Sequence, residues 1–341
     1  MTLQKTVQLE APYLIFNGDT DDESFSKTGR GIVDWCPDRV AGQMRLPGGT
    51  IDIGAPHLSV AEAAEKGVRS FIIGITPIGG QLPVHWFPVV VEAIEAGMDI
   101  VSGLHSRLVD IPEFAVAAKR SGSRLIDIRV PPAGIPVGTG KKRSGKRVLM
   151  VGTDCAVGKK YSALALTRTL SGLGVKATFR ATGQTGIIIA GTGIAVDAVV
   201  VDFISGAAEM LSPDNDNDHW DVIEGQGSLF NPGYAAVSLG LMHGSQADAL
   251  VICHEATLTQ ILGWPDYSIP SLSECMEANL RMALLTNPDV RIAGLSINTS
   301  KLPVDERAQY LADLSREMEL PCSDPMVDGS QVIAENIRDT F

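Results

Sequence analysis

Apolar residues in the first third of the chain come in short bursts, each closed by residues that turn the backbone. "PYLIFNG", "RSFIIGITP", "MDIVSGL" and "RLIDIRV" are runs of this kind, ending at or just before Gly or Pro. Such runs predict buried strands. Between them the period changes. "SVAEAAEKG" opens on a Ser that can cap a helix, and "LPVHWFPVVVEAIEAG" closes on glycine. Both read as helices, with Pro88 disturbing the first turn of the second. Strand and helix in alternation predict a parallel sheet flanked by helices, a Rossmann-like domain over residues 1–130.

The pattern lapses over residues 131–145, where Pro, Gly and basic residues crowd together without a hydrophobic period, and a linker is expected. Lys141, Lys142, Arg143, Lys146 and Arg147 form a charge run that is expected to stay in water, with the extra ribose phosphate of coenzyme A as its functional alternative. Alternation then resumes over 146–341 through "VLMVG", "VKATFRATG", "DAVVVDF", "WDVIEGQG", "ADALVICHEA" and "VRIAGLSINTS". The fold class is α/β throughout: an N-terminal Rossmann-like domain, then a C-terminal parallel-sheet domain. A ligand cleft is expected where two such domains meet.

Composition narrows the function. The 341 residues are 45% apolar and 20% charged, as in a packed globule. A net charge of −12 argues against nucleic acid, whose binding depends on neutralised phosphates, but a local cluster of donors can still hold a small anion. Five cysteines, an odd number without metal-site spacing, fit reduced thiols in the cytoplasm. The start "MTLQKTVQLEAPYLIF" lacks the basic and apolar regions of a signal peptide, and no uninterrupted apolar run is long enough to predict a membrane span. "GITPIGGQLP" lacks GxGxxG, so NAD is not expected there, and "SPDNDNDHWD" reads as a polar loop instead of a metal site.

The most informative stretch is "GTDCAVGKKYS", Gly152 to Ser162, set between an apolar run and a helical pattern. Strand, glycine turn and helix make a phosphate cradle: backbone N–H groups and the helix N-terminus face the anion, and Lys159 adds a point charge. A nucleotide-hydrolysing loop follows its Gly-Lys with Ser or Thr to hold Mg²⁺, and here Lys160 stands there. Five residues separate the two glycines instead of four. That spacing resembles the GTD-x-x-VGKT loop of dethiobiotin synthetase, matching all but the final Thr. "RATGQTG", "IEGQGSL" and "SINTSKLP" follow in the order that the resemblance requires. Without the hydroxyl a metal-bound, reacting ATP is disfavoured, and a nucleotide whose phosphates only anchor it, such as coenzyme A, fits better. Retention of Mg²⁺ by Ser162 or an acidic residue is the competing reading.

The combination of these segments with the Rossmann-like first half resembles, over nearly the whole chain, the DgcN-like D-glutamate N-acetyltransferase family of P-loop proteins. The resemblance implies transfer of an acetyl group from acetyl-CoA to the nitrogen of D-glutamate, with no metal required, and a pathway partner in an N-acetyl-glutamate epimerase. A homo-oligomer is also expected. Gly152, Thr153, Asp154, Cys155, Gly158, Lys159, Lys160, Tyr161 and Ser162 would hold the cofactor, and Asn298 its adenine end. Acyl transfer needs a base for the ammonium proton and donors for the oxyanion. Glu224 leads as base, with loop orientation or cation binding as its alternatives, and His254 is second. Cys155 invites a covalent acetyl-cysteine route, but direct attack is favoured. Arg180, Thr182, Gln184 and Ser228 are candidates for the substrate's carboxylates, and Lys27 and Arg30 for closing over it. An ATP- and Mg²⁺-dependent ligase or kinase and a non-catalytic nucleotide sensor remain the alternatives.

Overall fold

The computed structural model describes residues 7–341. They form two compact units: one runs to Val130 and takes in Gln184–Ala195, the other comprises Pro131–Gly183 and Val196–Phe341. In the N-terminal unit the strands are β1 (Tyr13–Phe16), β2 (Val40–Met44), β3 (Ser70–Ile73), β4 (Asp99–Ser102) and β5 (Leu125–Asp127). All pair in parallel in the order β2-β1-β3-β4-β5, with Leu14 opposite both Gly42 and Phe71. Helices α1 (Lys27–Trp35), α2 (Val60–Glu65), α3 (Phe87–Glu95) and α4 (Pro112–Ser121) connect them. Local chemistry sets their ends. Ser59 and Glu62 close a capping box on α2, Pro88 sits in the first turn of α3 where its missing N–H costs nothing, and Gly122 stops α4 at φ +81°. Leu14, Phe16, Phe71, Trp86 and Phe114 are buried in one core, where Phe16 meets Trp86 edge-on at 5.2 Å.

The C-terminal unit is built on a second all-parallel sheet. Its strands are β6 (Lys146–Gly152), β7 (Ala177–Arg180), β8 (Trp220–Ile223), β9 (Ala249–Glu255), β12 (Arg291–Asn298) and β13 (Cys322–Ser323), and a hairpin of β10 (Gln260–Ile261) and β11 (Trp264–Ser268) stands apart. The order is β13-β12-β9-β6-β8-β7. Helices α5 (Lys159–Gly172), α7 (Ile204–Leu211), α8 (Ala235–Ser245), α9 (Leu272–Ala283), α10 (Val304–Met318) and α11 (Gln331–Thr340) belong to it, while α6 (Gln184–Ala190) goes with the N-terminal unit. No helix of the described residues is long and apolar enough to cross a membrane.

Four expectations change. "DAVVVDF" forms no strand. It makes two short 3-10 turns, Val196–Ala198 and Val201–Phe203, with Val200 and Val201 exposed, and β7 is the sheet edge. The stretch 131–145 is no free linker, because it packs with the C-terminal unit. The basic run Lys141–Arg147 is only partly left in water: Lys141 and Lys142 are exposed, but Arg143, Lys146 and Arg147 are not. Arg143 donates to the carbonyl oxygens of Ser212, Gly244 and Ser245, and the buried Arg147 to those of Arg143, Ser144, Gly145 and Pro213. Burial, with Arg147 nearby, lowers the Arg143 pKa to about 10. Lys146 reaches the carbonyl oxygen of Phe341 at 2.6 Å and Lys142 pairs with Asp248. These cations satisfy carbonyl ends and a carboxylate of the fold. The segment 184–195 is the fourth change: it leaves the continuous second domain expected over 146–341 and joins the first.

Candidate active site

Strand β6 ends on Gly152, where a Cβ would stand 2.6 Å from the carbonyl oxygen of Cys253. The chain then turns through Thr153–Val157 to Gly158, whose φ of +106° excludes most side chains and whose surroundings are open. Gly158 is the N-cap of α5, so the unpaired N–H groups of the first helical turn face the loop. Lys159 opens the helix and is buried. Its ammonium folds over the loop to donate to the carbonyl oxygens of Asp154 at 2.6 Å and Cys155 at 3.4 Å. Burial lowers its pKa, opposed by Cys155, Cys253 and Asp154. The Lys160 ammonium lies 4.8 Å from the centroid of the Tyr161 ring.

The loop is held from below by buried side chains. Thr153 Oγ1 is 2.9 Å from Nδ1 of His254 at the end of β9, and Ser228 Oγ donates to the carbonyl oxygens of Gly152 and Thr153. The Asp154 carboxylate accepts from Asn231 Nδ2 at 2.9 Å and from the backbone N–H of Leu262 at 2.7 Å, tying the loop to the β10–β11 hairpin. Asn231 and Leu262 were not foreseen. The only trace of Asn231 in the sequence is its place in "NPGY", a turn signature shortly after "EGQG".

Glu224 follows β8 and is buried. Its Oε2 accepts two backbone N–H bonds, from Thr182 at 2.9 Å and Gly183 at 3.1 Å, and Thr182 Oγ1 donates to the Glu224 carbonyl oxygen. Burial raises its pKa, while those N–H groups, Lys160 and Lys159 pull it down. The next residue has to be glycine: a Cβ on Gly225 would lie 1.8 Å from the Met150 carbonyl oxygen and 2.8 Å from Lys159 Cδ. "EGQG" therefore lets the carboxylate strand approach β6 and its lysine. His254 is buried too, and burial lowers its pKa below the ordinary imidazole value, opposed by Glu255, so it is neutral at pH 7. Glu255 accepts from Lys301 at 2.8 Å.

The structure thus brings Gly152, Thr153, Asp154, Cys155, Gly158, Lys159, Lys160 and Tyr161 into one loop and helix start, with Glu224 and His254 beside it. Other candidates are engaged elsewhere. Arg180 turns back along β7 and forms an ion pair with the buried Asp221 at 2.8 Å. Ser162 is buried, 2.7 Å from Ser296 Oγ and donating to the Gly158 carbonyl oxygen, so its hydroxyl faces β12 and not the loop mouth. Ser228 and Thr182 brace backbone atoms. Gln184 lies in the N-terminal unit, where its Oε1 accepts from Arg129 at 2.9 Å. Asn298 closes β12 opposite Glu255, with its Oδ1 taken by the Ser300 N–H. Arg30 pairs with Glu23 at the surface. Among the described residues no group of three or more His, Cys, Asp or Glu is placed to hold a metal ion.

A parallel sheet carrying a glycine loop with a buried lysine, joined to a Rossmann-like unit, defines a two-domain α/β P-loop protein. The family model described as the DUF1611_C P-loop domain matches residues 136–334, and the DUF1611_N Rossmann-like domain matches 45–131. The chain belongs to the DUF1611 family. It is 47% identical over 322 residues to a D-glutamate N-acetyltransferase of Tritonibacter scottomollicae, covering 94% of this chain and 97% of that one. It is 45% identical over 331 residues to a D-glutamate N-acetyltransferase of a Pseudoalteromonas species, covering 97% and 100%. The crystal structure of a DUF1611 family protein from Anabaena variabilis superposes with a TM-score of 0.87 at 30% identity, covering 97% of this chain and 100% of that chain.

Proposed function

We propose that this chain transfers the acetyl group of acetyl-CoA to the amino group of D-glutamate, giving N-acetyl-D-glutamate and free coenzyme A. The observation that carries this reading is the identity of 45–47%, over nearly the full chain, to two proteins of that name. The loop chemistry supports it. A diphosphate fits a turn of backbone N–H groups beside an ammonium, and Gly158–Lys160 with Lys159 Nζ would hold it. Bound there, acetyl-CoA supplies an acetyl group activated as a thioester. The reading needs no metal ion, since Lys160 stands where the usual hydroxyl would be, and the Ser162 hydroxyl two residues on is turned toward Ser296.

The remaining steps fall to side chains. The amine must lose a proton before it attacks the acyl carbon, the carbon–sulfur bond then breaks, and the leaving sulfur takes a proton. His254 is the better proton acceptor of the two candidates. It is neutral, and its Nδ1 contact with Thr153 leaves Nε2 for exchange. Glu224 has one oxygen engaged by two N–H groups, so it acts chiefly to fix Thr182–Gly183 and to balance the lysines. The work is done in a reducing, cytoplasmic setting consistent with five free cysteines, and the product suits an N-acetyl-glutamate epimerase.

Purified protein incubated with acetyl-CoA and either glutamate enantiomer, with and without a chelator, tests the reading. Thiol release with D-glutamate that survives chelation is the expected result. Release that needs ATP and Mg²⁺, or no acetylated product, would overturn it.

A further inference from the structure

Helix α8, "AAVSLGLMHGS", contains no Asp, Glu, Lys or Arg, yet Ala236 is exposed and Ala235, Val237 and Leu239 are only half-buried. A helix so uniformly apolar is ordinarily covered. Beside it runs α9, and the two enclose a groove of about 690 Å³ whose floor includes Phe230, Leu239 and Met282. Glu274, Glu277 and Arg281 on α9 form its charged rim, with Glu274 engaged by Ser271 in the capping box; Glu277 and Arg281 stand one turn apart. Both are exposed, and among the described residues neither takes part in an ion pair. At the C-terminal end of the same helix Leu284 and Leu285 project, 42% and 68% exposed.

These features complement each other across a twofold axis. If two copies of α9 cross antiparallel on their exposed faces, at the level of the inward-facing Asn279, position 277 of one faces position 281 of the other, and each Leu284–Leu285 pair reaches the neighbour's groove near Glu274. The acid–base pair is met twice, as an isologous contact requires. We propose that a second copy of this chain covers the α8–α9 face, with Glu277 of each protomer paired to Arg281 of the other. The groove wall has a further tie. Phe230 lies between Ser228 and Asn231, which hold the phosphate loop through Gly152, Thr153 and Asp154, so the dimer contact braces the loop from outside.

Analytical ultracentrifugation of the full chain over a concentration series tests this. Wild type is expected to sediment as two chains. Glu277→Arg and Arg281→Glu each place like charges together twice and should raise the dissociation constant roughly 10–100-fold, while the double exchange Glu277→Arg/Arg281→Glu should restore the dimer. Leu285→Asp, at an exposed position, should weaken association without altering the circular dichroism spectrum. A wild-type monomer at every concentration would hand the groove to some other partner and overturn the proposal. So would assembly indifferent to the single exchanges, or a double exchange that fails to restore it.

Discussion

Both sheets set their first strand in the interior, and in both the chain leaves that strand through a crowded glycine, yet the turns that follow are opposites. After β1, a Cβ on Gly18 would lie 2.3 Å from the indole of Trp86. Asp19 is held by Trp86 Nε1 at 3.0 Å and by His85 Nε2 at 2.8 Å, and Asn17 donates to Gln43. The crevice is filled with protein. At the end of β6 a Cβ on Gly152 would also be crowded, 2.6 Å from the Cys253 carbonyl oxygen, but the turn beyond it opens: Gly158 has nothing within 4 Å of a Cβ position, and the buried ionisable groups Lys159, Glu224 and His254 gather around it. Shared topology offers a ligand crevice at the carboxyl ends of both sheets. Side chains decide that one is filled as core and the other left open as the candidate site.

The largest effect that sharpens this contrast is expected at His254. His254→Gln should lower kcat/KM about 10²–10⁴-fold, as loss of a general base does. The pH profile gives the sign: a base fails when protonated, and burial lowers this imidazole's pKa, so wild-type activity should persist to below pH 6.5 before falling. An acidic limb that survives the substitution would assign the base elsewhere.

In the filled crevice the effect should fall on stability alone. Trp86→Ala is predicted to destabilise the N-terminal unit by about 3–5 kcal/mol, read by denaturant unfolding, because it removes a large buried ring. Its folded fraction should retain the wild-type affinity for acetyl-CoA; a selective loss of binding would mean that the first crevice holds the nucleotide. Arg180→Met should behave similarly, since it takes the closest cation from the buried Asp221 and leaves it His219 at 3.5 Å, with a cost of about 3–5 kcal/mol. The KM for D-glutamate in its folded fraction should not move.

Lys159→Met comes next. Losing one charge-assisted contact of about 1.5–3 kcal/mol should weaken acetyl-CoA binding roughly 10–100-fold by titration calorimetry, with unfolding little changed. The smallest effect is expected at Cys155, where Cys155→Ala should stay within about twofold of wild-type turnover, as a partly exposed loop position that does not attack the thioester does. An acetylated Cys155 trapped by mass spectrometry would contradict direct attack.

The strands were legible where burial is two-sided. β1, β3, β4, β6 and β9 read as continuous apolar runs because parallel strands bury both faces. β2, "VAGQM", escaped notice. It buries Gln43, whose amide bonds to Asn17 and Asp52, and needs Gly42 where Leu58 and Pro56 press against it. The phosphate loop and "EGQG" announced themselves because close backbone approach demands glycine at fixed positions. The engagement of Arg180, Ser162 and Ser228 was not legible: each faces a partner 41 or more residues away in the chain. Arg143 and Arg147 misled for a different reason, since a basic run looks the same whether it meets water or carbonyl ends.

A crystal structure of the protein with acetyl-CoA, grown without divalent metal, tests the central claim most directly. The account predicts the diphosphate on the N–H groups of Gly158–Lys160 with Lys159 Nζ in contact, and His254 facing the thioester. Acetyl-CoA bound at the β1 crevice, or a loop that takes only ATP with Mg²⁺, would contradict it.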